Sequence, residues 1–413
     1  MSILNAFSKK ELECEQKRSL KDLLLKDQSW YEYYQKHKDT LRPEVLETIS
    51  NILSCGSTLR GFSCYECPNP KCTHSKRVAF TCHNRFCSKC GKKATENWIS
   101  EQISLLPTCE WQHITFTMPR ELWRFFKENW TLLSWLMTVA ANILKQLAKQ
   151  KGITPGMFAA LHTFGRDLKL NPHVHISITR GGLNEKETRF VACYFKKKVI
   201  MRMWRYRVIQ LLKKAYKEGE LTLPDGLSSL CPTLSQFSAW LNRRLNKLWI
   251  VHVAKPTKNA SRTISYLGRY VRRPPICASR LRHYDGNTVV FNFLNHTKKQ
   301  HQDFYCSTEE FIRRLTQHIP KKNFRMLRYY GFLANRVRGE KLPLVRTLLG
   351  QESHPNTYNL KYAELMQKTF GINPKECILC HTEMELTYRR IGANSAFFYE
   401  NHEALAQRKR LIA

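Results

Sequence analysis

The chain has 413 residues and a formal net charge of +35, with 68 Lys and Arg against 33 Asp and Glu. So basic a protein is drawn to polyanions, whether nucleic acid or an anionic membrane surface, before any specific contact forms. No apolar run reaches the about 18 residues of a membrane span, and the opening Met-Ser-Ile-Leu-Asn-Ala-Phe-Ser-Lys-Lys lacks the apolar core of a signal peptide, so the expectation is a cytoplasmic protein with no membrane partner.

Residues 1–58 are predicted to be helical. Leucines recur through Lys9–Asp27, and Arg42-Pro43-Glu44 opens a helix carrying Val45, Leu46, Ile49, Ile52 and Leu53 at helical spacing. A Cys-rich module follows at 60–92, with an exit helix over 93–106. Trp111–Met118 is β-prone and is stopped by Pro119. A single long helix is predicted over 121–151. Strands are predicted over 158–164, 172–179 and 188–194, with Gly181-Gly182 as the turn between the last two. Helices over 198–217 and 234–248, a short strand over 250–253 and a helix over 261–271 come next. Asp285-Gly286-Asn287 joins two strands as a hairpin, and 308–317 closes the series as a helix. This order predicts an α+β fold with an antiparallel sheet.

The chain holds 15 cysteines. Cys64, Cys67, Cys72, Cys82, Cys87 and Cys90 crowd one short stretch that also contains His74. In a reducing compartment such spacing favours metal over disulfides, and two opposed Cys-x-x-Cys pairs close a tetrahedral zinc site. Cys87 and Cys90 form the clearest pair. Its opposite number is either Cys67 with Cys72 or Cys64 with Cys67, while Cys82 and His74 either serve a second ion or replace a ligand. The alternative is a small core of reduced, non-ligating cysteines. Cys377 and Cys380, followed by His381, need further ligands, of which His354 is one candidate.

His173-Val-His175 is the second signal. Residues i and i+2 of a strand face the same way, so both imidazoles can hold one divalent ion. Asp167 is the expected third ligand, with His162 as its rival. Downstream, Tyr266 and Tyr270 share one face of the predicted 261–271 helix, among Arg262, Arg269, Arg272 and Arg273. A divalent ion polarises a phosphodiester, a phenol attacks it, and the arginines hold phosphates and favour phenolate. Together these residues point to metal-assisted cleavage of nucleic acid through a covalent phosphotyrosine. Trp204, Tyr206 and Trp249, set among arginines, are either base-stacking groups or core.

The ordered set Cys82-His-Asn-Arg-Phe-Cys87-Ser-Lys-Cys90, Thr163-Phe-Gly-Arg-Asp-Leu-Lys-Leu-Asn-Pro-His-Val-His175, Tyr266-Leu-Gly-Arg-Tyr270 and Phe324-Arg-Met-Leu-Arg-Tyr-Tyr-Gly-Phe-Leu-Ala-Asn335 resembles the rolling-circle transposases of bacterial insertion sequences, in the two-tyrosine branch of the HUH endonucleases. The resemblance implies a helical region over 1–58, a zinc-binding DNA-contact module over 59–107, an HUH nuclease domain over 108–300 and a helical region over 301–413. It implies Mg2+ or Mn2+ at the nuclease site, one or two Zn2+ ions in the Cys-rich module, and single-stranded DNA at the element ends and target as substrate. One tyrosine, Tyr266 by preference, would take the 5′ phosphate, and the other would act in a second cleavage. No Gly-x4-Gly-Lys-Ser/Thr loop occurs, so strand separation would fall to a host helicase or replication proteins. A location at the nucleoid follows. The competing readings are a plasmid replication initiator or relaxase with the same site, and a zinc-dependent DNA-binding regulator whose histidines and tyrosines are structural.

Overall fold

The structure is a computed structural model that describes residues 19–258, 261–271, 273–295, 299–352 and 360–407; the side chains of Glu128, Arg269, Tyr270 and Val271 fall outside that description. Ser19 opens α1 (Leu20–Leu25) with a capping box to Asp22. Then come α2 (Ser29–His37) and α3 (Pro43–Ser54), the latter started by Pro43 and burying Val45, Ile49, Ile52 and Leu53 as its spacing predicts. The Cys-rich stretch contains a hairpin, β1 (Gly61–Glu66) and β2 (Ser75–Ala79), followed by α4 (Ser88–Leu105). After β3 (Trp111–Phe116) stands α5 (Trp130–Lys149). The single helix expected over 121–151 is broken at Asn129, whose amide donates to the carbonyls of Phe125 and Thr222 instead of leaving the backbone to continue.

β4 (Ile153–Phe164) and β5 (Leu170–Asn184) are longer than expected and are joined by β6 (Phe190–Ala192). Gly181 and Gly182 do not turn. They lie inside β5, where a Cβ on Gly182 would stand 2.3 Å from the Thr154 carbonyl oxygen and one on Gly181 2.3 Å from the Phe190 ring. The turn falls later, where the Asn184 side chain accepts from the amides of Thr188 and Arg189.

Beyond it lie α6 (Lys197–Lys217), α7 (Leu234–Asn242), β7 (Val251–Val253) and α8 (Ser261–Val271). The expected hairpin is present as β8 (Leu281–Tyr284) and β9 (Thr288–Asn295), with Asp285 accepting from the amides of Asn287 and Thr288. The remaining elements are β10 (Gln300–Ser307), α9 (Thr308–Thr316), β11 (Leu327–Gly331), α10 (Arg338–Leu348), α11 (Tyr362–Phe370), β12 (Glu385–Ile391), α12 (Ser395–Glu400) and α13 (His402–Ala406).

The central sheet has the order β11-β4-β5-β3-β7, with β6 also on β5, and every pairing is antiparallel. The fold is α+β, as the sequence predicts. Strand alternation gives the sheet two unlike faces. Ile114 and Phe116 of β3, Met157, Ala159 and Leu161 of β4, Val174, Ile176 and Ile178 of β5, and Val251 of β7 share one core with α5 and α6. Trp204 of α6 is wholly buried there and donates its indole N–H to the Thr117 carbonyl, so it is core and not a stacking platform. Trp249 is core as well, while Tyr206 is exposed.

The opposite face carries His113 and Thr115, Phe158 and His162, and His173, His175 and Ser177. Over it lie α4 and α8, packed on one another. A second core joins α1–α3 to the β8–β10 sheet and α9. The segment 301–413 is not only helical. It gives β11 to the central sheet and β12 to the β1–β2 hairpin, which becomes a third sheet of order β12-β1-β2.

Candidate functional site

His162 and His173 are direct cross-strand partners on β4 and β5, and His175 lies two residues on from His173 on the same face. The three side chains offer nitrogens that all lie within 4.8 Å of one another. Their ring centroids are 4.3 Å apart for His162 and His175, 4.8 Å for His173 and His175, and 5.1 Å for His162 and His173. Nδ1 of His173 is 2.6 Å from the Asn171 carbonyl oxygen, which makes it the donor and leaves Nε2 with the lone pair. Nδ1 of His175 is held 2.9 Å from Nε2 of His113 and 3.2 Å from the Thr115 hydroxyl. His113 in turn stands 3.4 Å from the Ser177 hydroxyl. Such outer partners fix ring orientation in metal sites.

Burial keeps all of these rings neutral. It pulls His162, His173 and His175 down from the ordinary imidazole value, with neighbouring histidines adding to the effect for His162 and His175 and the Arg85 charge adding for His162. His113 is brought to about 4, mainly by burial and further by His252. Three neutral, converging imidazoles fit a divalent transition ion.

Asp167 is not among them. The turn from Gly165 to Leu168 places Leu168, at φ 62°, in the second core. Asp167 then folds back on its own turn, accepting from the Lys169 amide at 3.2 Å and pairing with the Lys169 ammonium at 3.3 Å. His318, Gln317 and Arg314 pin the same turn through the carbonyls of Leu168 and Asp167. The rival residue, His162, is the third member of the cluster with His173 and His175.

Tyr266 projects from α8 over this cluster. Its ring lies 6.3 Å from that of His175 and 5.8 Å from that of His113, in edge-on geometry, and it remains 37% exposed. Gly268 lets α8 approach so closely, since a Cβ there would stand 2.7 Å from Ile99 and 3.1 Å from Trp98 on α4. Arg262 is exposed on the same helix. Arg273 is committed to Glu96 at 3.1 Å. The side chains of Tyr270 and Arg269, and Arg272 altogether, lie outside the described residues.

The cysteines form two clusters. Cys55, Cys82, Cys87 and Cys90 make the first, with Sγ separations of 3.7 Å for Cys55–Cys90, 3.7 Å for Cys82–Cys90 and 3.6 Å for Cys55–Cys87. A tetrahedral ion with bonds of about 2.3 Å sets its sulfurs about 3.7–3.8 Å apart, so the geometry is that of a zinc site. Cys55 was not expected, because it sits at the C-cap of α3 with no partner at knuckle spacing. Cys67, Cys72, Cys377 and Cys380 make the second cluster, with 3.4 Å between Cys67 and Cys380 and 3.7 Å between Cys72 and Cys377.

Two expected ligands stand outside both sets. Cys64 is buried in β1, opposite Arg77 and Tyr388. His74 approaches Cys377 Sγ at 3.2 Å as a neighbour of the second cluster. His354 lies outside the described residues. The second cluster staples β12 to the β1–β2 hairpin, a three-stranded sheet too small to hold itself together by burial. Structural zinc contributes about 10–16 kcal/mol in comparable small modules. The expected cysteine-bound metal content is therefore two zinc ions per chain by elemental analysis, apart from any ion at the imidazoles. Cys55→Ser or Cys377→Ser should each remove one, and Cys64→Ser neither.

Residues 25–118 match the family described as "Transposase zinc-binding domain", and residues 156–341 match that described as "Putative transposase". The first range contains Cys55, Cys67, Cys72, Cys82, Cys87 and Cys90, and it supports zinc as the ion of the cysteine clusters. The second contains His162, His173, His175 and Tyr266. The chain is 39% identical over 397 residues to the transposase for insertion sequence element IS801 of Pseudomonas savastanoi pv. phaseolicola, covering 94% of each protein. It is 29% identical over 373 residues to the protein described as "Putative transposase y4qJ" of Sinorhizobium fredii (strain NBRC 101917 / NGR234), covering 86% of this chain and 92% of the relative. No solved structure matches. No helix among the described residues is long and apolar enough to cross a membrane. With its zinc-binding domain, its transposase domain and a near full-length relation to the IS801 protein, the chain belongs to the IS91- and IS801-type family of insertion-sequence transposases.

Proposed function

We propose that this transposase cuts and rejoins single-stranded DNA at the ends of its element by HUH-type chemistry, through a covalent 5′-phosphotyrosine, in rolling-circle-type transposition. The observation that carries the reading is the Tyr266 ring, 6.3 Å from His175 and beside three clustered imidazoles in a strongly basic chain. His162, His173 and His175 would hold the divalent ion, which when bound supplies a Lewis acid for a nonbridging oxygen of the scissile phosphate. An all-imidazole donor set is a poor match for magnesium, which prefers oxygen, so manganese is the expected activator of the two.

Tyr266 Oη would attack phosphorus. The bond from phosphorus to the 3′ oxygen breaks, the phenol releases its proton, and the 3′ oxygen takes one up as it leaves. The bond energy stays in the phosphotyrosine, so a 3′ hydroxyl can reverse the step without ATP. His113 would act by holding His175, and Arg262 would meet a phosphate from α8. Tyr270, one helical turn after Tyr266, would serve the second cleavage. Opening of duplex ends would come from host helicase or replication proteins, and the protein would work at the nucleoid.

The test is a gel. The full chain with Mn2+ and single-stranded oligonucleotides carrying the element ends should give an adduct that survives SDS and is absent when no Mn2+ or Mg2+ is added. Binding without any adduct would favour a non-enzymatic regulator and overturn the reading.

A further inference from the structure

Beside the imidazole cluster, at the β11 edge of the sheet, lies a cleft of about 980 Å³. Its floor is the segment 323–330, its wall is α4, and its rim includes Arg85 from the loop between Cys82 and Cys87 of the first cysteine cluster. The cleft lies next to the strand that bears the first imidazole. Leu161 bonds to the Met326 carbonyl at 3.0 Å and Ala160 pairs with Leu327, so the floor runs alongside β4, the strand that carries His162. The Arg85 charge is felt by His162.

Four arginines line the cleft, Arg85, Arg325, Arg328 and Arg338, against one carboxylate, Glu101. That carboxylate accepts a hydrogen bond from Asn97. Among the described residues, Arg325, Arg328 and Arg338 have no carboxylate within ion-pair distance. Arg325 is exposed, Arg328 donates to the Ser134 hydroxyl, and Arg338 lies over the Tyr329 ring at 5.7 Å. Guanidinium groups gathered without counter-ions in one concave site repel one another and invite a polyanion. Aromatic rings share the lining, with Tyr329 on the α4 side and Phe324, edge-on to Trp130, on the α5 side. A groove of arginines with interleaved rings is what an unpaired strand requires, with phosphates on the cations and bases on the rings. The volume lies at the top of the roughly 300–1,000 Å³ range of small-ligand pockets, room for more than a single nucleotide. β11 is also the edge of its sheet, paired with β4 alone, so its outer side is open to a chain laid along it.

We propose that this cleft holds the single-stranded DNA on one side of the scissile phosphate, with Arg325 and Arg338 gripping its phosphates. The assignment rests on the single-strand nuclease reading of the imidazole and tyrosine site.

The experiment measures binding of a fluorescent single-stranded oligonucleotide and of the matching duplex to the full zinc-loaded chain at several salt concentrations, with no Mn2+ or Mg2+ added so that no cleavage occurs. Arg325→Gln with Arg338→Gln should lower the salt slope of single-strand binding by about 1.4, at about 0.7 per phosphate contact, and weaken binding roughly 10- to 30-fold near 0.1 M salt. Arg207→Gln, on the opposite side of the sheet on α6, is the control and should change neither. Wild-type affinity and slope in the double variant would overturn the cleft while leaving the nuclease reading intact. Equal losses for the duplex and the single strand would overturn the single-strand assignment. Loss confined to the single strand, in a protein that never forms an adduct with Mn2+, would keep the cleft and sink the nuclease reading. Exposed Arg325→Gln alone should give about half the slope change, so a folding defect in the double variant does not decide the outcome.

Discussion

Tyr266→Phe should abolish the SDS-resistant adduct, with adduct formation falling about 10³-fold or more, as removal of a nucleophile does elsewhere. Single-strand binding should be unchanged. The substitution deletes one oxygen and keeps the ring that meets His113 and His175 edge-on. At 37% exposure the lost hydroxyl leaves no sealed cavity, so the folded state should tolerate the change. Tyr270→Phe separates the roles. If it alone removes the first adduct while Tyr266→Phe does not, the first nucleophile is Tyr270. If the adduct survives both substitutions together, no phosphotyrosine forms on this helix and the proposed chemistry fails.

The sequence carried the local elements of the site and not its distant joins. His173 and His175 were legible because strand period 2 is an absolute rule of geometry, and Tyr266 because helical spacing set it among arginines. His113, which braces His175, was not legible. Its strand, Trp111–Phe116, was recognised, but which strands lie beside it depends on sheet order, and a hydrophobic pattern does not specify that. The same reason hid the partners of Cys377 and Cys380. Those partners are some 300 residues away, and β12, which delivers that region, is exposed along its length, so no buried face ties it in sequence to the β1–β2 hairpin. Gly181-Gly182 misled in the opposite sense. Paired glycines signal a turn on average, but here they are spaces left for the Thr154 backbone and the Phe190 ring in a long strand.

The zinc clusters are not an appendage to the catalytic half. Cys87 is the N-cap of α4, and Cys90 lies in its first turn. Along that helix Thr95 stands 3.4 Å from the Gly268 carbonyl, and Trp98 and Ile99 receive Gly268 itself. The first cluster therefore fixes the start of the helix on which the tyrosine helix rests. Arg85, from the loop between Cys82 and Cys87, reaches the cleft beside His162. A module that looks like a separate DNA-contact unit in sequence is in space one wall of the proposed active site.

The choice of third metal ligand gives the second large expected effect. His162→Ala should weaken Mn2+ activation about 100-fold or more, beyond the 10- to 100-fold typical of losing only an outer partner. Asp167→Ala should leave the Mn2+ titration where it is and cost no more than about 0.5–1 kcal/mol, because its partly exposed pairing with Lys169 is worth little. The readout is adduct formation as a function of Mn2+ concentration, with thermal unfolding measured in parallel. His162 is 2% exposed, so His162→Gln, which keeps bulk and one nitrogen, guards against a collapse of the pocket being mistaken for loss of a ligand. The physical reason to back the imidazole over the carboxylate is the bulge between His162 and Phe164 where β4 leaves the β5 register. It turns the chain so that Asp167 goes with Leu168 towards the second core, and it leaves His162 facing His173. A normal titration in His162→Gln together with a dead Asp167→Ala protein would mean that the turn opens to bring the carboxylate in, and the three-imidazole site would not be the working one.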